Sequence, residues 1–156
     1  IFVKHKLPKQ FIIAVGTIEQ RKNQLSILQA IHDAKINTSV VFVGKPTSYA
    51  TSILNYITEN KMEDRVKFLN NIPRKELAAL YRSASVSVYL SIFEGFGLPP
   101  LEAALMGNKV IGYIGGGGQE YWKQPIFKKI EYGEIYKFAE KLFTDNAYTV
   151  FYNGIY

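Results

Sequence analysis

The chain has no cysteine among its 156 residues, which excludes a disulfide-stapled scaffold, a thiolate metal site and a cysteine nucleophile, and fits a reducing cytosol. Its two histidines, His5 and His32, are too few and too separated for a metal cluster; both read as surface residues, and no Ser/His/Asp set can be built from them. No apolar run approaches the ~20 residues that a membrane-crossing helix needs. The turn after the first apolar run, Gly-Thr-Ile-Glu-Gln-Arg-Lys from Gly16, lacks the G-x-G-x-x-G fingerprint of an NAD-type domain. No G-x-x-x-x-G-K-[ST] phosphate loop and no G-x-S-x-G nucleophile elbow occur either.

What is there is an ordinary globular composition, 47% apolar and 21% charged, in a chain long enough to bury one substantial core. Residues 1–156 read as a single domain. The first residues, Ile-Phe-Val-Lys-His-Lys-Leu-Pro, have neither a Met nor a signal-peptide layout, as expected of a piece that enters mid-chain. A net charge of +6 favours an anionic partner: a nucleotide, a nucleic acid or an acidic membrane surface. The Lys and Arg residues are scattered, with no dense run of the kind that wraps DNA, so the charge supports anion binding without naming the anion.

Apolar runs alternate with amphipathic stripes. Phe-Ile-Ile-Ala-Val-Gly from Phe11, Ser-Val-Val-Phe-Val-Gly from Ser39, Val-Lys-Phe-Leu from Val66, Ser-Val-Ser-Val-Tyr-Leu from Ser85 and Lys-Val-Ile-Gly-Tyr-Ile from Lys109 have the pattern of strands buried on both faces. A weaker strand is expected at 126–130. Between the strands, Ile27/Ala30/Ile31/Ala34, Ala50/Ile53/Leu54/Ile57 and Leu77/Leu80/Tyr81/Ala84 each recur at i, i+3, i+4, i+7, one stripe of a helix. Pro99 and Pro100 suit a first helical turn, and Gly107 marks that helix's stop. Ile135, Phe138, Ala139 and Leu142 mark a further helix, and residues 147–156, with Tyr148, Phe151, Tyr152 and Ile155 on one stripe, read as a terminal docking segment. The fold class expected is α/β: a Rossmann-like parallel sheet of about six strands with helices on both faces.

In such a sheet every loop that follows a strand lies on one edge, where open α/β sheets bind ligands. Those loops, at 17–23, 45–47, 70–74, 92–98 and 115–120, hold the unusual residues. Lys22, at the start of the first long helix, is suited to phosphate, with Arg21 beside it; a solvated helix end is the alternative. In Ser-Ile-Phe-Glu-Gly-Phe-Gly-Leu-Pro-Pro-Leu-Glu at 91–102, the amides of Gly95, Phe96, Gly97 and Leu98 can hold phosphate oxygens at a helix start, and a side chain at Gly97 would obstruct close approach. Glu102, placed in the first helical turn, can accept from a ribose diol or merely offset the helix dipole. Glu94 can contact a sugar or pair with a neighbouring cation. Glu120, after four glycines, starts another helix and is equally ambiguous, while Tyr113 and Trp122 fit core or rim packing better than a ligand.

The motif Ser-x-x-Glu-Gly-Phe-Gly-Leu-Pro-x-Leu-Glu-Ala, the later Gly-x-x-Val-Ile stretch, and the paired glycines followed by Glu resemble the C-terminal, donor-binding domain of retaining glycosyltransferases of the GT-B fold, the group 1 or family 4 class. Val-Gly-Thr-Ile-Glu-Gln-Arg-Lys-Asn from Val15 and Leu-Ala-Ala-Leu-Tyr-Arg-Ser-Ala from Leu77 are similar to that family's own segments. The resemblance runs from about residue 11 to 143 in the expected order. It implies that Lys22 binds the donor diphosphate, that Glu94 lies beside the transferred sugar, and that these two are the catalytic pair. It further implies that Glu102 binds the ribose, that Gly97 and Leu98 meet phosphate or sugar oxygens, and that Ile72, within 71–73, lies near the base. Gly16, Thr17, Arg21, Gly95 and Phe96 complete the implied substrate-binding set. Transfer is then a front-face reaction in which positive charge stabilises the leaving diphosphate.

The substrate implied is a nucleotide-diphosphate sugar, with no cofactor and no metal. The acceptor implied is a glycan or lipid-linked molecule, held by an N-terminal domain that is not in this chain, and no nucleic acid is a partner. The location implied is the cytoplasm, the inner membrane face and peripheral membrane association included. Three departures stand against the family pattern: Thr17 where many relatives carry Arg, Lys109 where a Pro is usual, and Gly118-Gln119 in place of a bulkier pair. Arg21 is the candidate to supply the phosphate contact missing at Thr17. By itself the chain is expected to bind donor without transferring it, and a non-catalytic binding or docking module of the same fold is the rival reading.

Overall fold

A computed structural model describes residues 1–93, 95–114, 119–131, 134 and 137. Glu94, the helix expected around residues 135–142 and the segment 147–156 fall outside the described residues, residue 137 apart. Six strands, β1 (Phe11–Val15), β2 (Ser39–Val43), β3 (Val66–Leu69), β4 (Val86–Tyr89), β5 (Val110–Gly112) and β6 (Phe127–Lys129), form one sheet in the order β3-β2-β1-β4-β5-β6. Every pairing is parallel, with Phe11 opposite Ser39 and Ser87 opposite Val110 fixing the register. β-Branched and aromatic residues dominate the four inner strands because both their faces are covered, and a polar face would be buried at a cost; the edge strands β3 and β6 are part exposed and carry Lys67, Lys128 and Lys129.

Successive residues face opposite layers. Ile12, Ala14, Val40 and Phe42 pack with Ile27, Leu28 and Ile31 of α2 (Gln24–Asp33) and with Ile53 and Ile57 of α3 (Ala50–Glu59). Phe11, Ile13, Val41 and Val43 pack with Leu80 and Tyr81 of α4 (Arg74–Ser83) and Ala103 of α5 (Leu98–Leu105). Each fully buried aliphatic or aromatic side chain contributes roughly 1.5–3 kcal/mol to these layers. The stripes expected of α2 and α4 hold. That of α3 loses Leu54, which is 51% exposed and lines an open apolar hollow of about 280 Å³ with Ile18, Pro46, Ala50 and Phe68.

Gly107 ends α5 as expected, at φ +80°. Its N–H donates to Ala104 O and the next N–H, of Asn108, to Ala103 O, the paired bonds of a glycine-terminated helix. One element has no periodic signal in the sequence, α1 (Phe2–His5), a single turn fixed by tertiary contacts. Phe2 meets Phe11 edge-on at 6.4 Å, while Lys4 and His5 both bond Glu76 of α4. His5 is thereby partly buried, unlike the exposed His32, which corrects its reading as a surface residue.

From β1 the chain builds outward through β2 and β3, then returns to lay β4 on the other side of β1. The loops leaving β1 and β4 therefore diverge from a shared seam, and the crevice between them is where a ligand reaches the carboxyl ends of the strands.

Candidate functional site at the β1 and β4 seam

The loop after β1 is held by glycine and by its neighbour loop. Gly16 has φ +146°, and its N–H donates to Val43 O at 2.9 Å. A Cβ on Gly44, just past β2, would stand 1.9 Å from Gly16 O, so the two exits approach each other because residue 44 is glycine. Ile18 bridges to Pro46, with its N–H on Lys45 O at 2.9 Å and its carbonyl accepting from Thr47 Oγ1 at 2.6 Å.

A 3-10 turn at Gln20–Lys22 follows, then Asn23 in the left-handed region at φ +57°. Lys22 thus precedes α2 and does not start it, because Asn23 reverses the chain between the two. Its side chain folds back over Gly16, where a Cβ would meet Lys22 Cε at 3.6 Å and Nζ at 3.8 Å. Thr17 is half-buried, and its carbonyl accepts from Gln24 Nε2 at 2.9 Å. Gln24 is 5% exposed, and its Oε1 is buried with no hydrogen-bond partner among the described residues.

Arg21 stitches this loop to the exit of β4. Its carbonyl accepts from Ile92 N–H at 2.8 Å, and its guanidinium donates to Phe93 O at 3.2 Å while pairing with Glu19 at 2.8 Å. The sequence makes Arg21 a candidate second phosphate contact beside Lys22; the structure shows it in a bridging role. Ile92, Phe93, Phe96 and Leu98 stand exposed on the β4 exit, an apolar rim to the crevice. Gly95 is exposed with open space where a side chain would be.

Gly97, N-cap of α5 at φ +76°, is held to glycine by its own backbone and by a neighbouring side chain. A Cβ there would lie 2.4 Å from Tyr121 Oη. The hydroxyl of Tyr121 donates to Phe96 O and Gly97 O, at 2.7 and 2.6 Å. The first three helical residues are Leu98, Pro99 and Pro100, and proline has no N–H. Leu98 therefore supplies the one amide donor of the helix start, and further donors must come from the loop.

Glu102 is the fifth residue of α5, so it lies in the second turn and the first turn carries no acid. Helix formation from Leu98 moves it past the place expected from the prolines. The dipole-offsetting alternative weakens accordingly, since that effect falls off within the first turn. Exposed, Glu102 lines an open pocket of about 240 Å³ with Arg74, Leu77, Ala78, Tyr81 and Met106. Burial pushes the Tyr81 hydroxyl well above the usual phenol range, and the Glu102 carboxylate adds to this against the opposing bond to Tyr89. Tyr81 therefore stays protonated and sits 3.4 Å from Pro99 O, beneath the start of α5.

Ile72 is half-buried against the α4/α5 layer, after Asn71 at φ +53°. Glu120 is exposed in a run of turns, not at a helix start, because the chain from 119 to 126 coils without continuous helical bonding. Tyr113 and Trp122 are core residues. Among the described residues no cluster of three or more potential metal ligands occurs, and no helix is long and apolar enough to cross a membrane.

The sequence pattern described as "Glycosyl transferases group 1" matches residues 2–126. The chain belongs to the group 1 glycosyltransferases. Over 110 residues it is 33% identical to the O-antigen chain mannosyltransferase RfbU of Salmonella typhimurium, an alignment covering 70% of this chain and 31% of that protein. Anabaena HepE in complex with UDP superposes with a TM-score of 0.80 at 22% identity, over 95% of this chain and 42% of that one. The C-terminal domain of the group 1 protein LpcC from Francisella tularensis gives 0.74 at 20% identity, over 93% and 81%. This group 1 glycosyltransferase chain spans about a third or less of the length of the curated relatives it matches.

Within this group 1 glycosyltransferase, the residues singled out from sequence separate into two neighbourhoods. Gly16, Thr17, Arg21, Lys22 and the 95–98 turn belong to the two loops of the seam, and Glu102 belongs to the pocket between α4 and α5. Tyr121, Gln24 and Tyr81 were not among them. Their roles rest on contacts across 24, 7 and 18 residues of sequence, and no local pattern marks such contacts.

Proposed function

We propose that this chain is the nucleotide-sugar-binding half of a retaining glycosyltransferase, which transfers a hexose to a glycan or lipid-linked acceptor held by a domain outside these 156 residues. The observation that carries this reading is the seam itself: a lysine folded over Gly16, in a loop stitched through Arg21 to Ile92 and Phe93 at the exit of β4, the segment that leads to α5.

In this reading Lys22 Nζ takes the donor diphosphate and stabilises the charge that develops on it as the sugar leaves. Gly16 allows close approach of the backbone, Thr17 and Arg21 flank the phosphates, and the amides of Gly95, Phe96, Gly97 and Leu98 face phosphate or sugar oxygens. Glu94 lies beside the sugar, Glu102 accepts from the ribose hydroxyls, and Ile72 packs near the base. The cation is a side chain, and no metal is required. The mannosyltransferase relatives favour a mannose donor, and the UDP complex of HepE favours uridine.

Titration with UDP, GDP and ADP, read by amide chemical shifts, tests this directly. Shifts are expected at Gly16, Lys22, Gly97 and Leu98 with one of the three. Lys22→Ala should weaken binding about 10- to 100-fold, the size of one hydrogen bond between charged groups. No perturbation at millimolar nucleotide would overturn the reading.

A further inference from the structure

Tyr121 lies in the connection between β5 and β6, half-buried and fixed by aromatic contacts. Its ring centroid is 5.1 Å from that of Phe127 in β6, and it meets Phe96 edge-on at 5.7 Å. The hydroxyl reaches two successive peptide units: one proton is shared between Phe96 O and Gly97 O, so both carbonyls turn toward it. The described peptide bonds are trans, and in a planar trans peptide the N–H points opposite to the C=O. The N–H groups in those two planes belong to Gly97 and Leu98. They are therefore aimed away from Tyr121, and the prolines that follow add no donor.

We propose that Tyr121 is a positioning residue for donor binding: by holding two carbonyls behind the glycine turn, it fixes the Gly97 and Leu98 amides toward the phosphate oxygens. The proposal rests on the donor-binding reading above. Without the hydroxyl, the Phe96–Gly97 plane loses this anchor and the Gly97–Leu98 plane keeps only the first bond of α5, which the N-cap carbonyl accepts; a carbonyl turned toward a phosphate repels it. Gly97 is the partner of this device, since any side chain there would displace the hydroxyl.

Tyr121→Phe keeps the ring and removes the bond. Calorimetry should show binding of the preferred nucleoside diphosphate weakened about tenfold, the size of one charge-assisted hydrogen bond, with binding of the corresponding nucleoside unchanged. Amide spectra of the ligand-free variant should show shifts at Gly97 and Leu98, and the urea midpoint should move little. Equal affinity of variant and parent for the diphosphate overturns the proposal. So does an equal loss for nucleoside and diphosphate, which would make Tyr121 a structural prop. If the parent itself binds no nucleotide, the donor reading fails and the positioning role falls with it, while the amide shifts still report whether the latch exists.

Discussion

Single residues at the seam differ in what they tolerate, and the differences are steric before they are chemical. A Cβ on Gly44 would meet the Gly16 carbonyl at 1.9 Å, and one on Gly112 would meet Tyr89 O at the same distance; neither backbone atom can step aside without parting a pair of strands. Gly44→Ala should therefore cost about 1–3 kcal/mol or more in a urea titration, and should also weaken nucleotide binding, because the atom it displaces belongs to the residue under Lys22. Gly95→Ala meets nothing within 4 Å and should stay within about 0.5 kcal/mol of the parent. A Gly95→Ala loss as large as that of Gly44→Ala would contradict this account. Residue type alone made Lys22, Gly16 and the 95–97 glycines legible as candidates, since lysine and glycine in post-strand loops are what an anion requires. It did not show that Gly97 makes room for Tyr121, because that reason lies 24 residues away in sequence.

At the scale of elements, the strands were legible because a strand covered on both faces must be apolar throughout, as Phe11–Val15 and Ser39–Val43 nearly are. Helices α2 and α4 announced themselves by stripes, and Gly107 by its conformational freedom. Pro99 and Pro100 do lie in the first turn of α5, but Glu102 falls one residue beyond it, since proline fits any of the first helical positions and does not say which one it holds. A single turn such as α1 has no period to detect and is marginal on its own, so its existence depends on contacts. The bonds from Lys4 and His5 hold the Glu76 carboxyl below the ordinary carboxylate range. A carboxyl whose folded pKa is depressed stabilises the fold above its unfolded value of about 4 and loses that contribution as pH falls through the folded value. The docking of α1 should accordingly weaken in acid. The ring signals of Phe2, set by Phe11, should drift toward free-chain positions below about pH 4, and Glu76→Gln should shift them in the same direction already at neutral pH. Phe2 signals that hold steady into strong acid would show that the aromatic contact alone keeps α1 in place.

For the whole molecule, the seam divides one sheet into two halves, β3-β2-β1 and β4-β5-β6, and a donor lying across it touches loops from both. Binding to the folded state alone must then raise global stability, by about 2.7 kcal/mol at a ligand concentration of 100 Kd. In a domain of this size that corresponds to roughly 5–10 °C in melting temperature. The rise should be largest for the nucleoside diphosphate of the natural donor, which makes melting a direct screen for the base. Lys22→Ala, with binding weakened about 10- to 100-fold, should lose about half to most of the rise at the same ligand concentration, while melting near the parent's own temperature without ligand. Leu80→Ala, in the core layer of α4, should do the reverse, lowering the ligand-free transition by about 2–5 kcal/mol yet keeping the increment. A chain that uses its charge of +6 simply as a polyanion surface behaves differently: RNA stabilises it, added salt abolishes the effect steeply, and free nucleotide does nothing. Nucleotide-dependent stabilisation that survives moderate salt and falls with Lys22→Ala places the ligand at the seam; stabilisation by RNA alone would move the function to the molecule's outer surface.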